Sequence, residues 1–274
     1  MDPALLADMH RILSSHLLDV DRYTIHPGDL SWWLYHHDPR LPPLETRILG
    51  DAVAVFEPDA VEIDVFGGES RIGLLDAWTR KRHPTVGWVA TADRDLTEAL
   101  QARGLHPEGD ATITFTRDVS PTGAAAPAGY TVRSLGGEEE APSRRAASHA
   151  AFASTMDPPA HLERYLAFMR SPVYDRGRDL VAVAPGGTVA SFLIWWPDAV
   201  TGIAQLEPVG THPDHQGRGL GAAVFSRALA DMRSAGMRVV RVCTDESRTG
   251  AVAFYQRLGF IPADRLRWWR AADR

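Results

Sequence analysis

The spacing of apolar residues predicts alternating strands and helices along the chain. Over residues 217–235 apolar positions recur three and four apart, the period of a helix with one buried face. Shorter apolar runs bounded by glycine or proline are predicted as strands. In the second half, strands are expected at 130–135, 179–184, 188–196, 202–210, 238–243 and 261–269, and the other helices at 138–152, 160–170 and 249–258. This order predicts a fold of the α/β class with an α+β arrangement: helices flank a central sheet that is mixed but mostly antiparallel.

A small-residue segment divides the chain into two halves. Residues 119–129 contain two prolines and read as a linker between a domain at 1–118 and a domain at 130–274. The sequence Pro-Asp-Ala-Val at 58–61 recurs at 197–200, and residues 99–107 align with 254–262. Two matches in the same order predict an internal duplication, hence two tandem domains. Between these landmarks the first half is 16 residues shorter.

Composition and charge narrow the functional classes. The 274 residues carry a net charge of −6, which argues against nucleic acid as a partner. No apolar stretch reaches the length of a membrane span, and no signal-peptide pattern opens the chain, so we expect a cytoplasmic protein without membrane association. Histidines near 36–38 and 212–215 lack metal-ligand spacing, so no metal is expected.

A glycine-rich segment at 211–221 joins a predicted strand to a predicted helix. Gly217, Gly219 and Gly221 lack a Cβ, so the backbone can approach a ligand closely. The first N–H groups of the helix and the positive end of its dipole favour an anion such as a pyrophosphate. Arg218 adds a fixed positive charge.

Two motifs resemble those of the GNAT family of N-acetyltransferases. Gln216-x-x-Gly219-x-Gly221, following Val209–Pro213, resembles the family's coenzyme A motif. The segment 251–260, which contains Phe254-Tyr255 and ends in Gly259-Phe260, resembles the family's later helix and tyrosine; Tyr255 follows Gly221 by 34 residues. The resemblance covers about 130–272, and the first half resembles the degenerate copy of tandem-domain members.

The resemblance implies a site and a reaction. Acetyl-CoA would be the co-substrate, and a primary amine of a small molecule would attack its thioester directly. Tyr255 would be the general acid and Glu207 the general base. Two departures from the family pattern leave roles open: Gln205 stands where many members have glutamate, and Arg248 stands where they often have asparagine. The implied cofactor-binding residues are Val209, Gly210, Thr211, Gln216, Gly217, Arg218, Gly219, Leu220 and Gly221.

The first half lacks the residues of this site. If Gly73 and Leu74 are set against Gly219 and Leu220, the next glycine is replaced by Leu75, and Asp76 follows. Leu100 occupies the position of the tyrosine. We therefore predict that the first half binds no coenzyme A; whether it forms a wall of the acceptor pocket stays open.

Three alternative functions remain at this point. The first is a non-catalytic coenzyme A-binding or sensing module, and the second is acetylation of a protein N-terminus. The third is nicotinamide binding through Gly217-x-Gly219-x-x-Ala222 with Asp245. Residues 213–216 separate this fingerprint from its strand, which disfavours the third alternative. The protein is expected to be a monomer or a homodimer.

Overall fold

The computed structural model describes residues 1–19, 21–59, 61–79 and 85–271. The helices are α1 (Pro3–His16), α2 (Pro27–Tyr35), α3 (Arg71–Thr79), α4 (Arg94–Gln101), α5 (Ala141–Ala151), α6 (Pro158–Met169), α7 (Leu220–Ser234) and α8 (Thr249–Arg257). The strands are β1 (Glu45–Leu49), β2 (Ala52–Glu57), β3 (Glu62–Gly67), β4 (Thr85–Ala90), β5 (Leu105–Asp118), β6 (Thr131–Ser134), β7 (Asp179–Val183), β8 (Val189–Asp198), β9 (Ile203–Thr211), β10 (Val239–Asp245) and β11 (Ile261–Ala271).

These elements form two compact units. The first unit comprises Met1–Leu30, Pro39–Arg117 and Arg241–Arg274, and the second comprises Ser31–Asp38 and Asp118–Val240. One boundary thus falls beside the linker expected at 119–129, while the C-terminal segment belongs to the first unit. The division into tandem domains at 1–118 and 130–274 stays a prediction.

The sheet of the first unit is mixed, as predicted. Its strand order is β1-β2-β3-β4-β11-β5. Strands β1, β2 and β3 pair antiparallel, β3 and β4 pair parallel, and β11 runs antiparallel to both β4 and β5. The last strand of the chain therefore lies between two strands of the first half. One face of this sheet carries an apolar core that includes Ile63, Val65, Leu74, Leu96 and Trp269.

The second unit contains the antiparallel strands β9-β8-β7-β6. An apolar cluster on this sheet includes Tyr165 and Phe168 of α6 and Phe192 and Trp196 of β8. Helix α7 packs against β7, β8 and β9 through its buried face. Across the ranges that the structure describes, no helix is both long and apolar enough to cross a bilayer.

Glycine and proline account for the shifted helix boundaries. The helix predicted from 217 begins at Leu220, because Gly217 and Gly219 adopt left-handed backbone conformations. The helix predicted from 138 is a 3₁₀ turn at Glu138–Glu140 followed by α5, which has proline in its first turn. Helix α1 begins at Pro3, with the Asp2 side chain accepting the Ala4 N–H at 2.9 Å as an N-cap.

Candidate functional site

Strand β9 leads into the glycine-rich segment and is irregular in its middle. Its pairing with β8 shifts register opposite Glu207 and Pro208, because proline has no N–H to give to a ladder. Glu207 is half-buried, and its carbonyl accepts the Trp196 indole N–H at 2.8 Å. Val209, Gly210 and Thr211 follow, all half-buried. Beyond the irregularity, the strand thus presents its backbone groups, as a segment that binds a pantetheine arm would require.

Gly210 allows a close approach within the second unit. A Cβ at this position would lie 2.4 Å from the Phe192 ring and 3.1 Å from the Ala151 methyl. The Phe192 ring in turn lies beneath the Arg144 guanidinium, at 3.8 Å from its centroid. This packing holds Gly210, in the segment predicted to bind pantetheine, against α5 and β8.

The N-terminus of α7 is open toward the glycine-rich segment. Gly217 has φ +74° and Gly219 has φ +80°, and a Cβ at either position would meet no atom of the described residues within 4 Å. In this part of the chain, no side chain caps the helix at Gly219. The N–H groups of the first helical turn, from Leu220 onward, therefore face open space with the positive helix end behind them. These features fit an anionic group such as a pyrophosphate.

Arg218 is held by a small hydrogen-bond network. Its guanidinium donates to the Tyr130 hydroxyl at 2.9 Å and to the Asp214 carbonyl at 3.0 Å. The same hydroxyl lies 2.9 Å from Nδ1 of His215, in the 3₁₀ turn before the glycines. Gln216 braces the other end by donating to the Thr211 carbonyl at 3.2 Å. The positive charge is therefore positioned beside the helix N-terminus.

Replacing Tyr130 by phenylalanine should weaken acetyl-CoA binding without slowing chemistry. The Phe variant keeps the ring but removes the acceptor for Arg218 and the partner of His215, so the guanidinium loses its fixed place. We expect KM for acetyl-CoA to rise about three- to tenfold, which corresponds to about 0.7–1.4 kcal/mol, in line with one lost hydrogen bond to a charged group. Steady-state kinetics check this: a lower kcat with an unchanged KM would contradict it.

Helix α3, which follows β3 in the first unit as α7 follows β9 in the second, has an acidic side chain beside its N-terminus. Three residues, 68–70, separate β3 from α3, whereas eight, 212–219, separate β9 from α7. The Asp51 carboxylate accepts the Ser70 N–H at 3.1 Å, and a Cβ at Gly68 would lie 1.8 Å from the same carboxylate. Hydrogen bonds from Ser70 lower the pKa of Asp51. A carboxylate thus lies beside the N-terminus of α3, where its negative charge would repel a phosphate.

The segment of the first half that aligns with the glycine loop is not a loop. Its residues, Gly73 to Asp76, lie inside α3, which begins at Arg71. The segment before α3 is instead Gly68–Ser70. The prediction that the first half binds no coenzyme A remains untested, but it now rests on Asp51 and the short connection as well as on Leu75 and Asp76.

Substituting Asp51 by alanine should cost about 0.5–1 kcal/mol of stability, the lower part of the range for a lost helix cap because the carboxylate is exposed. The lowered pKa means that this stabilisation is present above the unfolded-state pKa and is lost as the pH falls through the folded-state pKa. Urea unfolding at pH 7 and at acidic pH checks both statements. Equal destabilisation at both pH values would contradict the role of the charge.

Tyr255 is placed in the first unit, on α8. Its side chain is 7% exposed and packs against the rings of Phe115, Phe254 and Phe260 at centroid distances of 5.4–6.0 Å. Arg248, which precedes this helix, pairs with Asp245 at 3.2 Å. Glu207 and the glycine-rich segment both belong to the second unit, whereas Tyr255 belongs to the first. Their joint action therefore stays a prediction.

A buried charge pair of the second unit was missed from the sequence. Arg144 bonds Asp179 through Nε at 3.3 Å, and both side chains are fully buried. The Tyr165 hydroxyl also donates to Asp179. Arg145 lies next to His161, where burial lowers the pKa of the histidine to about 3 and that of the arginine to about 9. The signal was present, because both arginines occupy buried positions of α5 at helical spacing with alanines.

Comparison with known proteins identifies the family. The sequence model of the Acetyltransferase (GNAT) family matches residues 147–260. A mycothiol acetyltransferase of Pseudarthrobacter chlorophenolicus is 31% identical over 241 residues, covering 81% of this chain and 74% of that protein. A mycothiol acetyltransferase of Beutenbergia cavernae is 31% identical over 197 residues, covering 65% of this chain and 64% of that protein. An uncharacterised N-acetyltransferase of Methanocaldococcus jannaschii is 31% identical over 67 residues, and the chain spans 30% of its length.

Solved structures share the fold over the whole chain. A tandem GNAT protein from the clavulanic acid biosynthesis pathway superposes with a TM-score of 0.69 at 17% identity, covering 100% of this chain and 97% of that chain. A GCN5-related N-acetyltransferase from Sphaerobacter thermophilus superposes with a TM-score of 0.63 at 21% identity, covering 98% and 93%.

The chain belongs to the GNAT family of acetyltransferases, whose members use acetyl-CoA as co-substrate. The family resemblance of the sequence motifs is thereby confirmed. Within the family, the chain is similar to proteins named mycothiol acetyltransferase and has the fold of a tandem GNAT protein.

Proposed function

We propose that this protein transfers the acetyl group of acetyl-CoA to a primary amine of a small molecule. The observation that carries the proposal is the uncapped N-terminus of α7, with Gly217 and Gly219 left-handed and Arg218 held beside them. Backbone N–H groups and a fixed guanidinium together suit the pyrophosphate of the donor. The segment Val209–Thr211 would take the pantetheine arm.

Two side chains carry the proton transfers in this proposal. Glu207 accepts a proton from the ammonium group of the acceptor, directly or through water, so that the neutral amine can attack the thioester; its half-buried place on β9 favours this role. Tyr255 donates a proton to the departing thiolate, and it stands on α8 at the position of the family's tyrosine. A neutral phenol can donate at physiological pH, which suits the role of acid.

A small-molecule acceptor is favoured over a protein N-terminus. The relatives that match most of the chain are named for mycothiol rather than for a protein. The alternative of a non-catalytic coenzyme A sensor requires the same α7 N-terminus but no role for Glu207.

The test is an amine-panel assay that follows release of the free coenzyme A thiol. We expect turnover with at least one small primary amine and a loss of about 100-fold or more in kcat for Glu207→Gln. Glu163→Gln, an exposed carboxylate change on α6 of the same unit, is the matched control and should keep full activity. Tight acetyl-CoA binding without turnover of any amine would favour the sensor. Turnover of peptide N-termini alone would favour the protein acceptor.

A further inference from the structure

The two faces of β3 in the first unit differ in chemistry. Ile63 and Val65 point into the apolar core shared with α3 and α4. Side chains alternate along a strand, so Glu62 and Asp64 lie on the opposite face. The pairing between β3 and β4 ends at Ile63 and Val86, directly beside these carboxylates. Two acidic side chains thus lie where the sheet opens.

Asp64 is buried, and its carboxylate is only partly hydrogen-bonded. It is 7% exposed, and its Oδ1 has no hydrogen-bond partner among the described residues. The backbone N–H of Gly87 donates to its carboxylate. A Cβ at Gly87 would lie 2.5 Å from Asp64 Oδ1 and 2.7 Å from Glu62 Oε1, so only glycine allows both carboxylates to reach this point. A buried acceptor left without a partner is expected to cost stability.

Aromatic rings border the carboxylates. Trp268 of β11 donates its indole N–H to Glu62 at 3.2 Å. Its ring centroid lies 5.8 Å from that of Trp88 on β4, and Trp88 stacks on Tyr23 at 6.3 Å. Glu62, Trp88 and Trp268 are half-buried, so this border is reached by solvent while Asp64 lies behind it.

We propose that Glu62, Asp64, Trp88 and Trp268 form a binding site for an organic cation that carries a primary ammonium group. Carboxylates provide charge and hydrogen-bond acceptors, and indole faces attract cations. Two carboxylates beside indole rings suit an ammonium group better than a metal ion, which takes oxygen ligands in greater number. Among the described residues no group of three metal-ligating side chains was found. The site does not depend on the proposed acetyl transfer.

The charge of the site depends on pH. Burial raises the pKa of Asp64 well above its usual range, and the neighbouring carboxylates of Glu62 and Glu57 raise it further. Burial also raises the pKa of Glu62, whereas the Trp268 hydrogen bond and Arg270 oppose this effect. A raised folded-state pKa means that the unliganded protein loses stability as the pH rises above the unfolded-state pKa. Cation affinity should rise over the same range.

Tryptophan fluorescence of the full chain tests the site directly. The probes are n-butylammonium chloride and its neutral isostere butan-1-ol, at pH 8 without acetyl-CoA. We expect a saturable change with the amine alone and a Kd raised at least about tenfold in Glu62→Gln and Asp64→Asn. Glu98→Gln, an exposed carboxylate change on α4, is the matched control and should stay within about twofold of the parent protein. In Trp268→Phe the fluorescence change should shrink.

Thermal unfolding distinguishes a binding site from a pair of carboxylates that has only a structural role. Asp64→Asn removes a carboxyl group whose ionisation is disfavoured by burial, so the Tm of the variant should exceed that of the parent by about 2–4 °C at high pH, and this difference should disappear as the pH is lowered. Absence of saturable butylammonium binding would overturn the proposal. So would equal affinity in the Glu62 and Asp64 variants, a lower Tm of Asp64→Asn at every pH, or displacement of the amine by micromolar Ca²⁺.

Discussion

Replacing Tyr255 by phenylalanine should lower kcat by about 100-fold or more, because a positioned general acid contributes about 10²–10⁴-fold to rate. The Phe side chain keeps the contacts with Phe115, Phe254 and Phe260 and removes only the hydroxyl. The Kd for acetyl-CoA should stay within about threefold of the parent value. Thiol-release kinetics and calorimetric titration measure the two quantities.

The pH profile distinguishes an acid from a packing residue. If the phenol protonates the thiolate, the parent profile of kcat should fall on its basic side, and this fall should be absent from the Phe variant. The Tm of the variant should drop by no more than a few degrees, as expected when one hydroxyl group is removed and the ring contacts are kept. An unchanged kcat with every accepted amine would remove Tyr255 from the proposed mechanism.

Replacing Gly219 by valine should raise the Kd for acetyl-CoA at least about 100-fold, or about 2.7 kcal/mol. A β-branched residue at φ +80° is strained, and its side chain would occupy the open space over the first turn of α7. Both effects act on the place where the pyrophosphate would bind. Calorimetric titration measures the affinity.

The same helix offers a matched control at its other end. Gly236 follows α7, has φ +79°, and would also place a Cβ in open space. Gly236→Val therefore carries similar backbone strain without touching the α7 N-terminus. We expect both variants to lose a similar amount of Tm and only Gly219→Val to lose affinity. Equal loss of affinity in both would show that general destabilisation, rather than the glycine loop, controls binding.

The family and most of the second half were predictable from local sequence. The motif at Gln216–Gly221 depends on residue types at fixed spacing, and the helix that follows it depends on apolar periodicity. Both are local properties, so they can be recognised without knowledge of the rest of the fold. The spacing of apolar residues predicts the helix start three residues early, because it does not reveal the left-handed conformations of Gly217 and Gly219.

The first half is less predictable, because the carboxylate beside the N-terminus of α3 comes from a residue distant in sequence. Asp51 lies 19 positions before Ser70, and only the folding of β2 beside the start of α3 brings them together. Local sequence therefore places the degenerate loop within Arg71–Asp76, a segment that is helical. A contact between residues that are distant in sequence leaves no pattern in the local sequence.

The sequence by itself determined the class of protein, and it supplied the glycine-rich segment and the side chains on which the proposed anion site and chemistry rest. The tertiary structure decided three other matters: the capping of α3 by Asp51, the burial of Arg144 with Asp179, and the meeting of Glu62 and Asp64 with Trp268. The physical reason is the range of the interactions. Helix periodicity and phosphate-binding motifs arise between near neighbours, whereas buried charges require partners that only the folded chain brings within a few ångströms.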